Sequence, residues 1–150
     1  MKAVRTWIVV ADGAQARFLL NQGPGKGLEP ALEDEVDGAA RVASRDLGAD
    51  KPGRVHDRFG PGRHAMAPRV DWHQFEKQKF AREMASILDG AAEKKTFDRL
   101  ILVAPPKTLG TLRSALNKNT ARLVVGEVPK DLTQVTVGEL PDHLGSVIVV

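Results

Sequence analysis

The sequence predicts an α/β domain on a mixed sheet, with elements in the order β-β-β-α-β-α-β-α. Three observations carry this expectation. Short apolar runs separated by turn residues fill the first 36 positions. From residue 70 onward helical and strand patterns alternate, the arrangement expected when helices cover the faces of a sheet. Between the halves lies a stretch, residues 41–69, rich in Gly, Pro and Arg and with little hydrophobic periodicity.

Thr6 to Ala11 is short, β-branched and bounded by Asp12-Gly13, which reads as a buried strand. Ala16 to Leu20 is its hairpin partner, reached through Asp12-Gly13-Ala14-Gln15. A Gly-rich turn over residues 22–27 leads to a third, more acidic strand from Leu28 to Val36. Gly25-Lys26 is no phosphate loop, because Gly27 stands where Ser or Thr should follow the Lys and Leu20 where the first Gly should be.

Beyond the basic stretch, Asp71 with Gln74 forms a capping-box-like pair, and Val70 with Phe75 a hydrophobic staple across it. Trp72, Phe75, Phe80, Met84, Ile87 and Leu88 recur at helical spacing and are expected in the core, on a helix ending between Asp89 and Lys95. Leu100 to Ala104 is a continuous apolar run, as in a strand covered on both faces. Pro105-Pro106 closes it and opens a helix carrying Leu109, Leu112 and Leu116 on one face. Arg122 to Val128 reads as the fifth strand, and Thr136 with Glu139 as the cap of a short last helix through Leu144. This order of elements is also that of ribonuclease H-like domains, a likeness that licenses no activity.

At 150 residues the chain fits one domain, 1–150, with residues 38–70 as a long loop inside it. Cys is absent, which excludes disulfides, thiolate metal sites and a thiol nucleophile. The apolar run ending at Asp12 is too short for a signal peptide, and nothing approaches the ~20 apolar residues of a membrane span. A cytoplasmic protein that does not enter the membrane is expected. The formal net charge is +3, and residues 41–69 hold seven Lys/Arg against three Asp. The basic character is therefore local. Turn chemistry at Pro52-Gly53 and Gly60-Pro61-Gly62 suits a shaped basic loop, although a solvated insertion has the same composition.

The segments Val10-Ala11-Asp12-Gly13-Ala14-Gln15-Ala16-Arg17-Phe18, Gly62-Arg63-His64-Ala65, Val103-Ala104-Pro105-Pro106-Lys107-Thr108-Leu109-Gly110 and Glu127-Val128-Pro129-Lys130-Asp131-Leu132-Thr133 resemble the bacterial host-attachment protein family, in order along nearly the whole chain. That family is similar in fold to the middle domain of the archaeal and eukaryotic class I peptide release factors and of Pelota, and is grouped with bacterial release-factor-like proteins. The resemblance implies a ribosome-linked role. Release factors carry a Gly-Gly-Gln tip between the third strand and the long helix. This chain has no Gly-Gly-Gln, and its basic loop occupies that position with Gly60-Pro61-Gly62-Arg63-His64. Peptidyl-tRNA hydrolysis is therefore disfavoured.

The expected function is non-catalytic association with RNA or the ribosome. Arg54, Arg58, Arg63, His64 and Arg69 would contact phosphates, with Gly60 and Gly62 allowing close approach. No cofactor and no metal are expected. A second reading is a hydrolase or anion-binding protein acting on a phosphorylated or nucleic-acid substrate in a crevice formed by Asp12, Arg17 and Lys107, with His64 beside them. Here Gly110 would admit the ligand or serve helix packing. A nuclease-type metal site would need acids to join Asp12 and Glu76, and Ala104-Pro105-Pro106 supplies none. His56, Asp57 and His64 suggest acid–base chemistry, but Ser44 lacks a nucleophile-elbow motif and a loop-ordering role is simpler. Lys130-Asp131 reads as a local ion pair or the start of the last helix. A third reading, attachment to host cells by an indirect route, follows only from the family's name.

Overall fold

An antiparallel hairpin and a three-stranded parallel ladder meet at a shared central strand. The computed structural model describes residues 4–32, 40–43 and 69–150. β1 (Thr6–Ala11) and β2 (Gln15–Asn21) form the hairpin, in the register Thr6↔Asn21 to Ala11↔Ala16. β5 (Arg99–Val103) runs parallel to β1, and β6 (Val124–Val128) parallel to β5. With β3 (Glu29–Pro30) and β4 (Ala40–Ala43), the sheet has the order β3-β2-β1-β5-β6, and β4 also pairs with β2.

Among the described residues the first part of the expected third strand is short. Only Glu29–Pro30 pairs in its first part, and residues 33–36 lie outside the described residues. The Ala31 N–H still donates to the Phe18 C=O at 3.0 Å just beyond Pro30. Ala40–Ala43 also pairs with β2, so strand structure reaches into the segment assigned as loop. The edge of β2 beyond Phe18 offers unpaired backbone groups, which pair without regard to the charge on Arg41.

The long helix α1 (Arg69–Glu93) begins two residues before the expected cap, placing Asp71 in its first turn instead of at its N-cap. Phe75 is 48% exposed, and the side chain of Val70, its expected staple partner, lies outside the described residues. Phe80, Met84 and Leu88 are buried and Ile87 packs partly against them. The helix ends in a Schellman arrangement: Thr96 N–H donates to Ala91 C=O and Lys95 N–H to Ala92 C=O, both at 2.9 Å. Lys95 takes the left-handed position, φ 57°, usually held by Gly.

α2 (Pro106–Ala115) starts on Pro106 as expected, with Leu109 and Leu112 buried. An additional short helix, α3 (Lys118–Leu123), takes Arg122 and Leu123 out of the predicted fifth strand. Asn117 caps it, its side chain accepting the Thr120 N–H at 2.9 Å. α4 (Leu140–Leu144) is the last helix, and Thr136 Oγ1 accepts the Glu139 N–H at 3.3 Å just before it.

The result is a mixed α/β layer structure. One face of the sheet, carrying Trp7, Val9, Phe18, Leu100 and Leu102, packs with α1 and α2. The other, carrying Ile8, Val10, Leu19, Ile101 and Val103, packs beneath Leu132, Leu140 and Leu144. Among the described residues no helix is long and apolar enough to cross a membrane.

Candidate functional site

A crevice of about 540 Å³ opens at the carboxyl ends of β1 and β5. There the chain leaves β1 toward β2 on one side of the sheet, and leaves β5 toward β6 on the other. Such a switch point leaves a gap between diverging connections, where ligands of open α/β sheets collect. Asp12, Gly13 and Ala14 form one wall, and Pro105, Lys107, Thr108 and Thr111 another. Glu76, Lys77 and Gln78 close it from α1, and Asp131 from the loop after β6.

Asp12 is committed to local structure. Its Oδ1 accepts the N–H groups of Ala14 at 2.7 Å and Gln15 at 2.9 Å, an Asx turn that sets the hairpin. Its Oδ2 lies 3.4 Å from both Gln15 Nε2 and Thr133 Oγ1. Asp131 is likewise engaged, accepting from the N–H and hydroxyl of Thr133. That corrects the expectation for Lys130-Asp131: the carboxylate shapes a turn, and the last helix starts only at Leu140.

Arg17 does not line the crevice. It is 4% exposed, and its Nη1 donates to the carbonyls of Leu132, Thr133 and Val135. The alternation of β2 places it opposite Val10, on the face beneath the 129–137 loop. It therefore holds from below the loop that carries Asp131 and Thr133. Asp12 and Lys107 do share the crevice.

Sequence reasoning missed Lys77. A Cβ added to Gly13 would lie 2.8 Å from Lys77 Cγ, so the Lys stem rests on the glycine. The missing side chain beside Asp12 was the available signal. Among the described residues Lys77 and Lys107 join no ion pair, so both ammonium groups are open to a ligand. The lining still holds three carboxylates against these two cations, and is no anion sink by itself. Among the described residues no cluster of three or more His, Asp or Glu stands close enough to hold a metal ion.

Arg54, Arg58, Arg63 and His64 lie outside the described residues, as do His56, Asp57 and Ser44. Arg69 is the first residue of α1. Both anchor points of the basic segment are placed. Ala43 pairs with Gln15, beside the Asp12 turn. Arg69 lies seven residues before Glu76 on α1, or about 10 Å along the axis. Chain leaving at Ala43 and returning at Arg69 thus joins the fold at the crevice end of the sheet.

Among solved structures, an archaeal translation termination factor is similar, with a TM-score of 0.48 and 12% identity over 82% of this chain. The chain spans 29% of the length of that factor. No curated protein matches the chain. The family model described as "Protein required for attachment to host cells" matches residues 7–144, and the chain belongs to that family.

Proposed function

We propose that this chain is a non-catalytic, RNA-associated protein of the host-attachment family, acting as one cytoplasmic domain, with the ribosome as its candidate partner. The observation that carries the reading is the placement of Ala43 and Arg69. It puts the attachment points of the most basic part of the sequence at the crevice end of the sheet, where among the described residues Lys77 and Lys107 join no ion pair. Phosphate affinity comes from the segment's Arg54, Arg58 and Arg63, with His64, and the crevice lysines extend the contact surface. RNA then binds along this end of the sheet with strong salt dependence.

A ribonuclease H-like topology is part of the proposal, supported by the order β3-β2-β1-β5-β6 with β2 antiparallel and β5 and β6 parallel to β1. Release-factor-like placement rests on the motif resemblance, and without Gly-Gly-Gln the reading includes no peptidyl-tRNA hydrolysis. The alternative, a hydrolase or small-anion receptor in the crevice, is favoured by the switch-point location. It is weakened by Asp12, whose Oδ1 is occupied by turn hydrogen bonds and whose Oδ2 lies 3.4 Å from Gln15 Nε2 and Thr133 Oγ1.

Co-sedimentation with ribosomes, and anisotropy with a single-stranded RNA, at low and moderate salt test the proposal. Binding that weakens steeply with salt is expected. A folded protein that associates with neither, even at low salt, ends it.

A further inference from the structure

At the opposite end of β1 from the crevice, roughly 20 Å away, a second cavity of about 340 Å³ opens on the other face of the sheet. Its floor is a row across three strands. Thr6 pairs with Asn21 on β2 and with Arg99 on β5, so the three residues stand side by side on one face. Ile101, Val147, Ile148 and Val149 make its apolar walls.

Thr6 is 1% exposed, and among the described residues its hydroxyl has no hydrogen-bond partner. Its neighbour Asn21 is fully engaged, donating to the carbonyls of Gly23 and Gly27 and accepting the Gly23 N–H. Buried hydroxyls are normally paired, and an orphan at a cavity wall points to a missing partner. Among the described residues Arg99 is the only charged one lining the cavity. One cation, one hydroxyl and aliphatic walls match a small molecule with a single carboxylate and a hydrocarbon body. A phosphate dianion would call for more donors.

We propose that this cavity binds a small aliphatic carboxylate, whose oxygens accept from the Arg99 guanidinium and the Thr6 hydroxyl while its chain lies against Val147–Val149. The size suits such a ligand, being at the lower end of small-molecule sites. Access runs past residues 145–149, where structure after α4 is neither strand nor regular helix. This segment is held by the Val147 and Ile148 N–H groups on Leu144 C=O, and by Val150 C=O accepting from Gly25 and Gly27. Few bonds need to open for a ligand to enter.

The test is a titration of the full chain with sodium octanoate, followed by amide NMR shifts, with octanol as the uncharged control. Saturable shifts at Thr6, Arg99, Ile101 and Val147–Val149 are expected at roughly millimolar concentration. Thr6→Val and Arg99→Gln should each weaken octanoate about tenfold, the usual loss for a charge-assisted hydrogen bond. Thr6→Val keeps the side-chain shape. Should it fail to fold, Arg99→Gln at an exposed position carries the same test. No saturable shift, equal affinity for octanol, or unchanged affinity in Arg99→Gln overturns the proposal.

Discussion

The Asp89 carboxylate on α1 accepts a 2.6 Å hydrogen bond from the Thr120 hydroxyl on α3. The same oxygen accepts the Asn117 N–H at 3.1 Å, so one side chain secures the start of the helix that leads into β6. Thr120 is fully buried.

Asp89→Ala therefore leaves a buried hydroxyl and the Asn117 amide without this acceptor. A loss of about 1–3 kcal/mol is expected. Urea unfolding should show a lower midpoint at unchanged slope. A shift worth under about 0.5 kcal/mol, in the range of ordinary surface substitutions, would show that Asn117 alone satisfies Thr120.

Lys95 offers the opposite sign. It holds the left-handed position of the α1 terminus with φ 57°. A Cβ there costs roughly 1–2 kcal/mol, and Gly returns part of the gain through a freer unfolded chain. Lys95→Gly should stabilise by about 0.5–1 kcal/mol. Thermal unfolding decides it: no rise in Tm would mean that contacts of the lysine stem outweigh the backbone strain.

Much of the fold was legible because it depends on local pattern. Thr6–Ala11, the Asx turn at Asp12, the Pro106 helix start and the apolar run before it are all written in neighbouring residues. The misreadings have a common cause in contacts between distant parts of the chain. Phe75 has the helical spacing of a core residue, yet is 48% exposed near the start of α1. Arg17 looked like a ligand group because a lone Arg in an apolar strand invites that reading. The carbonyls that hold it are 115 to 118 positions away. The Asn117 cap was a readable signal for α3, hidden by the apolar run that follows. In the crevice Lys107 was legible from the strand-to-helix junction, whereas Lys77 depended on how α1 crosses the hairpin.

Two glycines that look alike in sequence should respond differently to Ala. At Gly126 on β6 the new Cβ would lie 2.9 Å from Val147 Cβ, an atom next to the backbone that cannot swing away. Gly126→Ala should cost about 1–3 kcal/mol by overpacking. At Gly13 the new methyl meets Cγ, Cδ and Cε of Lys77, a flexible stem with an exposed residue around it. Gly13→Ala should stay within about 0.5 kcal/mol of the parent. Equal losses in denaturant would contradict this packing.

Gly13 also bears on phosphate binding, because Gly13→Ala moves the Lys77 stem without disturbing the core. If phosphates are held mainly by the basic segment, the combined Arg54→Ala, Arg58→Ala and Arg63→Ala variant should reduce the slope of log affinity against log salt by about two. Each phosphate contact on a single strand contributes roughly 0.7. Lys77→Ala, Lys107→Ala and Gly13→Ala should each change it by less than about one. Anisotropy over a salt series measures all of them, with circular dichroism to confirm folding. A triple variant that keeps the parent slope, while a crevice variant loses binding, would move the phosphate contacts from the segment to the crevice. That outcome would favour the small-anion reading over RNA association, because the lysines would then act without the segment's charge.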